Sequence, residues 1–113
     1  MNWKSLTTID QLSAITKQSS EKPQLIFKHS TSCSISAMAK SRLERAAMPD
    51  DIDFYYLDLL SYRNISSQLA TDFMVNHESP QVLLIINGEC VYDESHSGIS
   101  MDEIVQQAQK HAA

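Results

Sequence analysis

Apolar positions along the chain alternate between short continuous runs and stripes at helical spacing. Ile9, Leu12 and Ile15 follow Thr8-Ile9-Asp10-Gln11, which places a Gln three residues after an N-cap hydroxyl, so a first helix is predicted to about residue 17. Ser19-Ser20-Glu21-Lys22-Pro23 breaks that period. Gln24-Leu25-Ile26-Phe27-Lys28 then forms a compact run with aromatic and β-branched side chains, read as the central strand. After a polar stretch over 29–32, Ile35, Met38, Ala39, Leu43, Ala46 and Ala47 share one side at a 3.6-residue period, the apolar stripe of a second helix. That helix is expected to stop before Pro49.

Asp53-Phe54-Tyr55-Tyr56-Leu57-Asp58 reads as a second strand, reached through a helix and therefore parallel to the first. Ile65, Leu69 and Phe73 lie four residues apart and predict a third helix within 61–75. Asn76-His77-Glu78-Ser79-Pro80 marks its exit. The run Gln81-Val82-Leu83-Leu84-Ile85-Ile86 lacks polar alternation, as a strand covered on both faces does. Asn87-Gly88 comes next, and a type I′ turn needs positive φ at both central residues, so 89–93 should return antiparallel. Ser100-Met101-Asp102-Glu103 caps a last helix with Met101, Ile104, Val105 and Ala108 on its apolar side. The order αβαβαββα is that of a thioredoxin-like α/β domain: a single four-stranded mixed sheet flanked by helices, with 1–113 as one domain. Such a fold hosts redox enzymes, transferases and interaction modules alike, so the site must select the function.

Composition narrows the classes. The chain has 113 residues, 42% hydrophobic and 20% charged, enough for one packed core and unlike a disordered segment. A net charge of −5 provides no basic excess to neutralise phosphates, so nucleic acid is not an expected partner. Met1-Asn2-Trp3-Lys4-Ser5 lacks the apolar run of a signal peptide, and no stretch approaches the roughly 20 apolar residues that span a bilayer. A cytoplasmic protein without membrane contact is expected, and a monomer. Two cysteines are too few for a disulfide scaffold.

The candidate chemistry centres on Cys33, in Phe27-Lys28-His29-Ser30-Thr31-Ser32-Cys33-Ser34-Ile35-Ser36, where the strand gives way to the second helix. First-turn backbone N–H groups and the positive end of the helix dipole favour a thiolate there. The bland alternative is a small buried hydrophobe, but the surrounding Ser30, Thr31, Ser32, Ser34 and Ser36 are all polar and suit a partly exposed helix start. Lys28 or His29 would favour the thiolate further if its side chain points at the sulfur. Ser36 stands where a dithiol enzyme carries its second cysteine; it either donates its hydroxyl to the thiolate or is a solvated helix residue. One thiol forms a mixed disulfide but cannot resolve it internally.

In thioredoxin-like domains a proline at the position of Pro80 is cis and lies against the cysteine, which would turn the Ser79 backbone outward to pair with an extended ligand. Pro80 starts its strand at the Cys33 end of the sheet. Six residues later the chain has travelled on the order of 20 Å, whereas a disulfide needs Cα atoms within about 7 Å. Cys90 is therefore read as a structural thiol. His29, His77, His96 and His111 show no metal-ligand spacing, and no bound metal or cofactor is expected.

With these residues in view, the chain resembles the monothiol bacilliredoxins, thioredoxin-like proteins of bacteria that use bacillithiol instead of glutathione. The resemblance rests on Ile26-Phe27-Lys28-His29-Ser30-Thr31 leading into Cys33, on Ile35-Ser36, on Glu78-Ser79-Pro80-Gln81-Val82-Leu83-Leu84, and on Ser95-His96. It implies removal of bacillithiol from protein mixed disulfides through a Cys33–bacillithiol intermediate. Bacillithiol would be the thiol co-substrate and bacillithiolated proteins the clients. Cys33 and Ser36 would be catalytic, and Thr31, Ser32, Ser34, Ser79 and Pro80 would face the substrate. One departure stands out: Ser34 occupies the place of the family's usual proline, adding a backbone donor and a hydroxyl near the sulfur, with a looser helix start expected. The competing reading is a thioredoxin-like adaptor, or redox-sensing module, whose Cys33 is merely capped under oxidation.

Overall fold

In the computed structural model, which describes residues 3–46 and 49–111, the order is β1 (Lys4–Ser5), α1 (Asp10–Gln18), β2 (Gln24–His29), α2 (Ser34–Arg45), β3 (Asp53–Asp58), α3 (Arg63–Phe73), β4 (Gln81–Ile86), β5 (Glu89–Ser95) and α4 (Met101–His111). The strands form one mixed sheet, β1-β3-β2-β4-β5. It has five strands where the hydrophobic pattern predicts four. The extra strand, β1, is two residues long, too short to show a period. It runs parallel to β3, and the Leu6 N–H extends the pairing to the Tyr56 carbonyl at 2.9 Å while the Leu6 side chain is fully buried.

β2 sits in the middle of the sheet, parallel to β3 and antiparallel to β4, with all six residues buried. Side chains alternate across it. Leu25 and Phe27 join Val82, Leu84, Leu43 and Ile104 on the face covered by α2 and α4. Ile26 joins Leu83, Ile85, Ile15, Ile65 and Leu69 on the face covered by α1 and α3. Burying both faces explains why β2 and β4 read as continuous runs rather than alternating ones.

Local signals behave as their chemistry requires. Gln11 reaches back to accept the Thr7 and Thr8 N–H groups at 2.7 and 3.0 Å, half of the predicted capping box. Asn87 and Gly88 have φ of 52° and 77°, both positive as the tight hairpin demands. The Ser100 hydroxyl accepts the Glu103 N–H at 3.3 Å and caps α4.

The second helix departs from its predicted face. Its buried residues are Ser36, Ala39 and Leu43, while Ile35 and Met38 are 53% and 63% exposed. Ala39 and Leu43 face the core on either reading; tertiary bonds to Ser36 decide which neighbouring stripe turns inward. Ala47 lies outside the described residues. Among the described residues, no helix is long and apolar enough to cross a membrane.

Candidate active site

β2 ends at His29 and α2 begins at Ser34, so the intervening segment must turn sharply. The Cys33 N–H closes that turn on the Ser30 carbonyl at 3.1 Å. Cys33 is the N-cap of α2, with extended backbone (φ −107°, ψ 122°), and its own carbonyl accepts the Ala37 N–H at 3.1 Å. No side-chain bond caps this helix, so the first-turn N–H groups remain unclaimed by the cap side chain beside a half-buried free thiol. Thr31 and Ser32 are exposed on the turn, with Ser32 Oγ 3.3 Å from Ser30 Oγ. Ser34 is exposed and takes the first helical position without the proline found in the resembling family.

Ser36 does neither of the two things expected of it. It is fully buried, so it is not a solvated helix residue. Its oxygen accepts the Ser30 N–H at 3.0 Å and lies 2.8 Å from His29 Nδ1. The arrangement that leaves no hydroxyl proton without a partner has Ser36 donating to Nδ1, with the ring proton on Nε2. Among the described residues Ser36 Oγ makes these two hydrogen bonds and none to the Cys33 sulfur. Ser36 is a positioning residue: it fastens the strand end, the turn and the helix start into one frame around Cys33. The same bonds give the helix start a support that does not depend on proline.

His29 is 6% exposed, and its ring lies 5.7 and 5.5 Å from those of Phe27 and Tyr56. Burial, reinforced by the nearby Lys40 charge, lowers its pKa and keeps the imidazole neutral, as the bond from Ser36 requires. Lys28 points to the other face of the sheet. Its Nζ lies 2.8 Å from His77 Nδ1 and 3.1 Å from Gln81 Oε1, so neither Lys28 nor His29 is engaged with the sulfur. Gln81 also receives the Glu78 N–H at 3.4 Å and donates to the Asn76 carbonyl at 3.0 Å, pinning the segment that leads into Pro80. Sequence reasoning missed this cluster. Its signal was the polar pair Lys28 and Gln81, set opposite one another in two buried strands.

The Ser79–Pro80 bond is cis. Lys28 pairs with Gln81, so Pro80 stands opposite the end of β2, from which the Cys33 turn departs. The Pro80 carbonyl is taken by the His96 N–H at 3.1 Å. Among the described residues the Ser79 backbone has no hydrogen-bond partner, and its buried hydroxyl has none either. Cys90 lies in β5 across from Ile85, far along the sheet, and both cysteines are free. Burial, with Asp93 adding to it, pushes the Cys90 thiol up to about 11, and its Sγ contacts the Tyr92 carbonyl at 3.4 Å. Such a thiol stays protonated and inert.

The site thus joins one half-buried cysteine at a helix start, a cis-proline wall and a committed serine where a second thiol would otherwise stand. Comparison with known proteins bears on the family and the fold. The family Monothiol bacilliredoxin BrxC matches residues 4–104. A solved structure described as having a thioredoxin fold is 33% identical, with a TM-score of 0.80 over 91% of this chain and 90% of that one. Thioredoxins from Malassezia sympodialis and Fasciola hepatica share the fold at 19% and 13% identity, with TM-scores of 0.72 and 0.75. They cover 99% and 96% of this chain, and 92% and 98% of their own. The chain belongs to the monothiol bacilliredoxin family, thiol oxidoreductases built on the thioredoxin fold.

Proposed function

We propose that the protein removes bacillithiol from protein mixed disulfides by a monothiol route. The Cys33 thiolate attacks the bacillithiol sulfur of the client disulfide. The new S–S bond forms as the old one breaks, and the client leaves as a thiolate that takes a proton from water. A second bacillithiol thiolate then attacks the sulfur of the bound bacillithiol, freeing Cys33 and leaving bacillithiol disulfide. The net reaction consumes one free bacillithiol thiol, whose sulfur is oxidised into bacillithiol disulfide as the client sulfur is reduced to a thiol, while the bacillithiol taken from the client stays at the disulfide level throughout.

The observation that carries this reading is the isolation of Cys33. The position three residues on is a buried serine tied to His29, and Cys90 lies across from Ile85 at the far edge of β4. No internal disulfide competes with the mixed one. Ile35 and Met38, both exposed on the first turns after Cys33, offer an apolar rim for a client protein, and the unpartnered Ser79 backbone offers strand-like pairing to an extended segment. No bound metal or cofactor enters the scheme, and it suits a monomer in a reducing cytoplasm.

Intact mass tests it. Wild type, Cys33→Ala and Cys90→Ala are incubated with a bacillithiolated client while client thiol release is followed. One bacillithiol adduct and client release, both dependent on Cys33 and both surviving loss of Cys90, are expected. Uptake of one equivalent without regeneration by added bacillithiol would establish the adaptor instead.

A further inference from the structure

A cleft of about 420 Å³ opens beside α3, lined by Leu59, Arg63, Ser66, Ser67, Ala70 and His77. That volume suits a small molecule. The cleft lies on the face of the sheet opposite α2 but at the same end as Cys33. The Leu59 N–H donates to the His29 carbonyl at 3.1 Å, four residues before the cysteine, and His77 precedes the cis Ser79–Pro80 bond by two residues.

Its electrostatics are unusual for a chain of net charge −5. Behind His77 lies Lys28, fully buried, its Nζ 2.8 Å from Nδ1 of that ring. The ammonium finds only neutral acceptors, His77 and Gln81 Oε1. Of its three donors, the third has no protein partner among the described residues. Ser66, also buried, places its hydroxyl 3.4 Å from the same imidazole nitrogen. Arg63, on the cleft wall, likewise has no carboxylate within 4.0 Å among the described residues, where the ion pairs involve Lys4, Lys22, Lys40 and His96. Burying a cation with no carboxylate in direct contact is costly. The carboxylate whose charge reaches Lys28 and His77 is that of Glu78, which pairs with His96 at 4.0 Å and makes no ion pair with Lys28 within 4.0 Å.

We propose that this cleft binds a carboxylate of the small thiol carried in the mixed disulfide, with Arg63 on its wall and the Lys28–His77 pair behind it supplying positive charge. The assignment rests on the bacillithiol reading above, since the malyl carboxylates of that thiol are the groups the cleft would hold while its sulfur meets Cys33. Burial, opposed in part by the Glu78 charge, pulls Lys28 down to about 8. A bound carboxylate opposes that pull and keeps the ammonium charged.

The test uses Arg63→Ala, because Arg63 is exposed and its loss leaves the buried network intact. One client protein is capped at the same thiol with either bacillithiol or cysteamine, which has no carboxylate, and single-turnover reduction is followed. The variant is expected to reduce the bacillithiol-capped client about 5- to 10-fold more slowly, as fits one charge-assisted contact at a partly open site, and the cysteamine-capped client within about twofold of wild type. In parallel, L-malate is titrated into isotope-labelled protein. Amide shifts at Ser66, Ser67 and His77 in wild type that vanish in Arg63→Ala support the site. Equal slowing on both caps places the carboxylate on the client and overturns the assignment; so does unchanged reduction. If wild type reduces neither client, the proposed function falls, while the malate titration still decides whether the cleft binds carboxylate.

Discussion

Replacing Ser36 by Ala tests whether this side chain holds the Cys33 frame together or serves the sulfur directly. The change removes the donor to His29 Nδ1 and the acceptor of the Ser30 N–H, bonds of 2.8 and 3.0 Å. Ser36 and His29 are 0% and 6% exposed, so water does not readily replace the lost partners. Leaving a buried polar group unsatisfied costs about 1–3 kcal/mol. The better helix propensity of Ala returns roughly 0.5 kcal/mol. A net loss of about 1–2 kcal/mol is expected from these two terms. Urea denaturation followed by circular dichroism should show the midpoint falling by roughly 0.5–1 M at unchanged slope. Ser36→Thr, which keeps the hydroxyl, should restore most of the loss. A double-mutant cycle with His29→Gln should give a coupling of at least about 0.5 kcal/mol, the size found for residues in one hydrogen-bonded network. The reasoning is refuted if Ser36→Ala unfolds at the wild-type midpoint while iodoacetamide alkylation of Cys33 changes severalfold, because that pattern belongs to a hydroxyl acting on the sulfur and not on His29.

Three further outcomes follow from the charges. His29 and His77 both have pKa values lowered by burial, with the Lys40 and Lys28 charges respectively adding to it, so the unfolded chain binds protons first as pH falls. Their stabilising share is present above the unfolded value of about 6.5 and is lost below it, at up to about 1.4 kcal/mol per pH unit for buried His29; denaturation between pH 7 and 5 should show this slope, and His29→Gln should flatten it. Lys28 is lowered from 10.5 to about 8, so between those values the unfolded chain again holds the extra proton and stability gains as pH rises. Relative to Lys28→Met, wild type should gain on the order of 2–3 kcal/mol between pH 8 and 10.5, and a constant difference across that range would show that the amine is not buried as a charge. Cys90, raised to about 11, should resist iodoacetamide at pH 8 in folded protein while Cys33 reacts, and peptide mapping that finds equal labelling would contradict its burial.

Much of the architecture was written in local chemistry. Asn87-Gly88 specifies a hairpin because its two residues accept positive φ, and the unbroken apolar runs of β2 and β4 require a sheet covered on both faces. The cysteine at the strand-to-helix junction was equally legible, since its meaning depends on a boundary only a few residues long. What the tertiary structure alone decided are matters of partner and direction. β1 exists because β3 offers it an edge, and a two-residue strand has no pattern of its own. Ser36 turns inward, where its hydroxyl meets the Ser30 N–H and the His29 ring across the junction, while Ile35 is left 53% exposed on the solvent-facing side. Lys28 and His29 are neighbours in sequence, yet the pleat sends them to opposite faces, one to His77 and Gln81 and the other to Ser36. Periodicity tells which residues share a side; only packing, which joins groups dozens of residues apart, determines what that side meets.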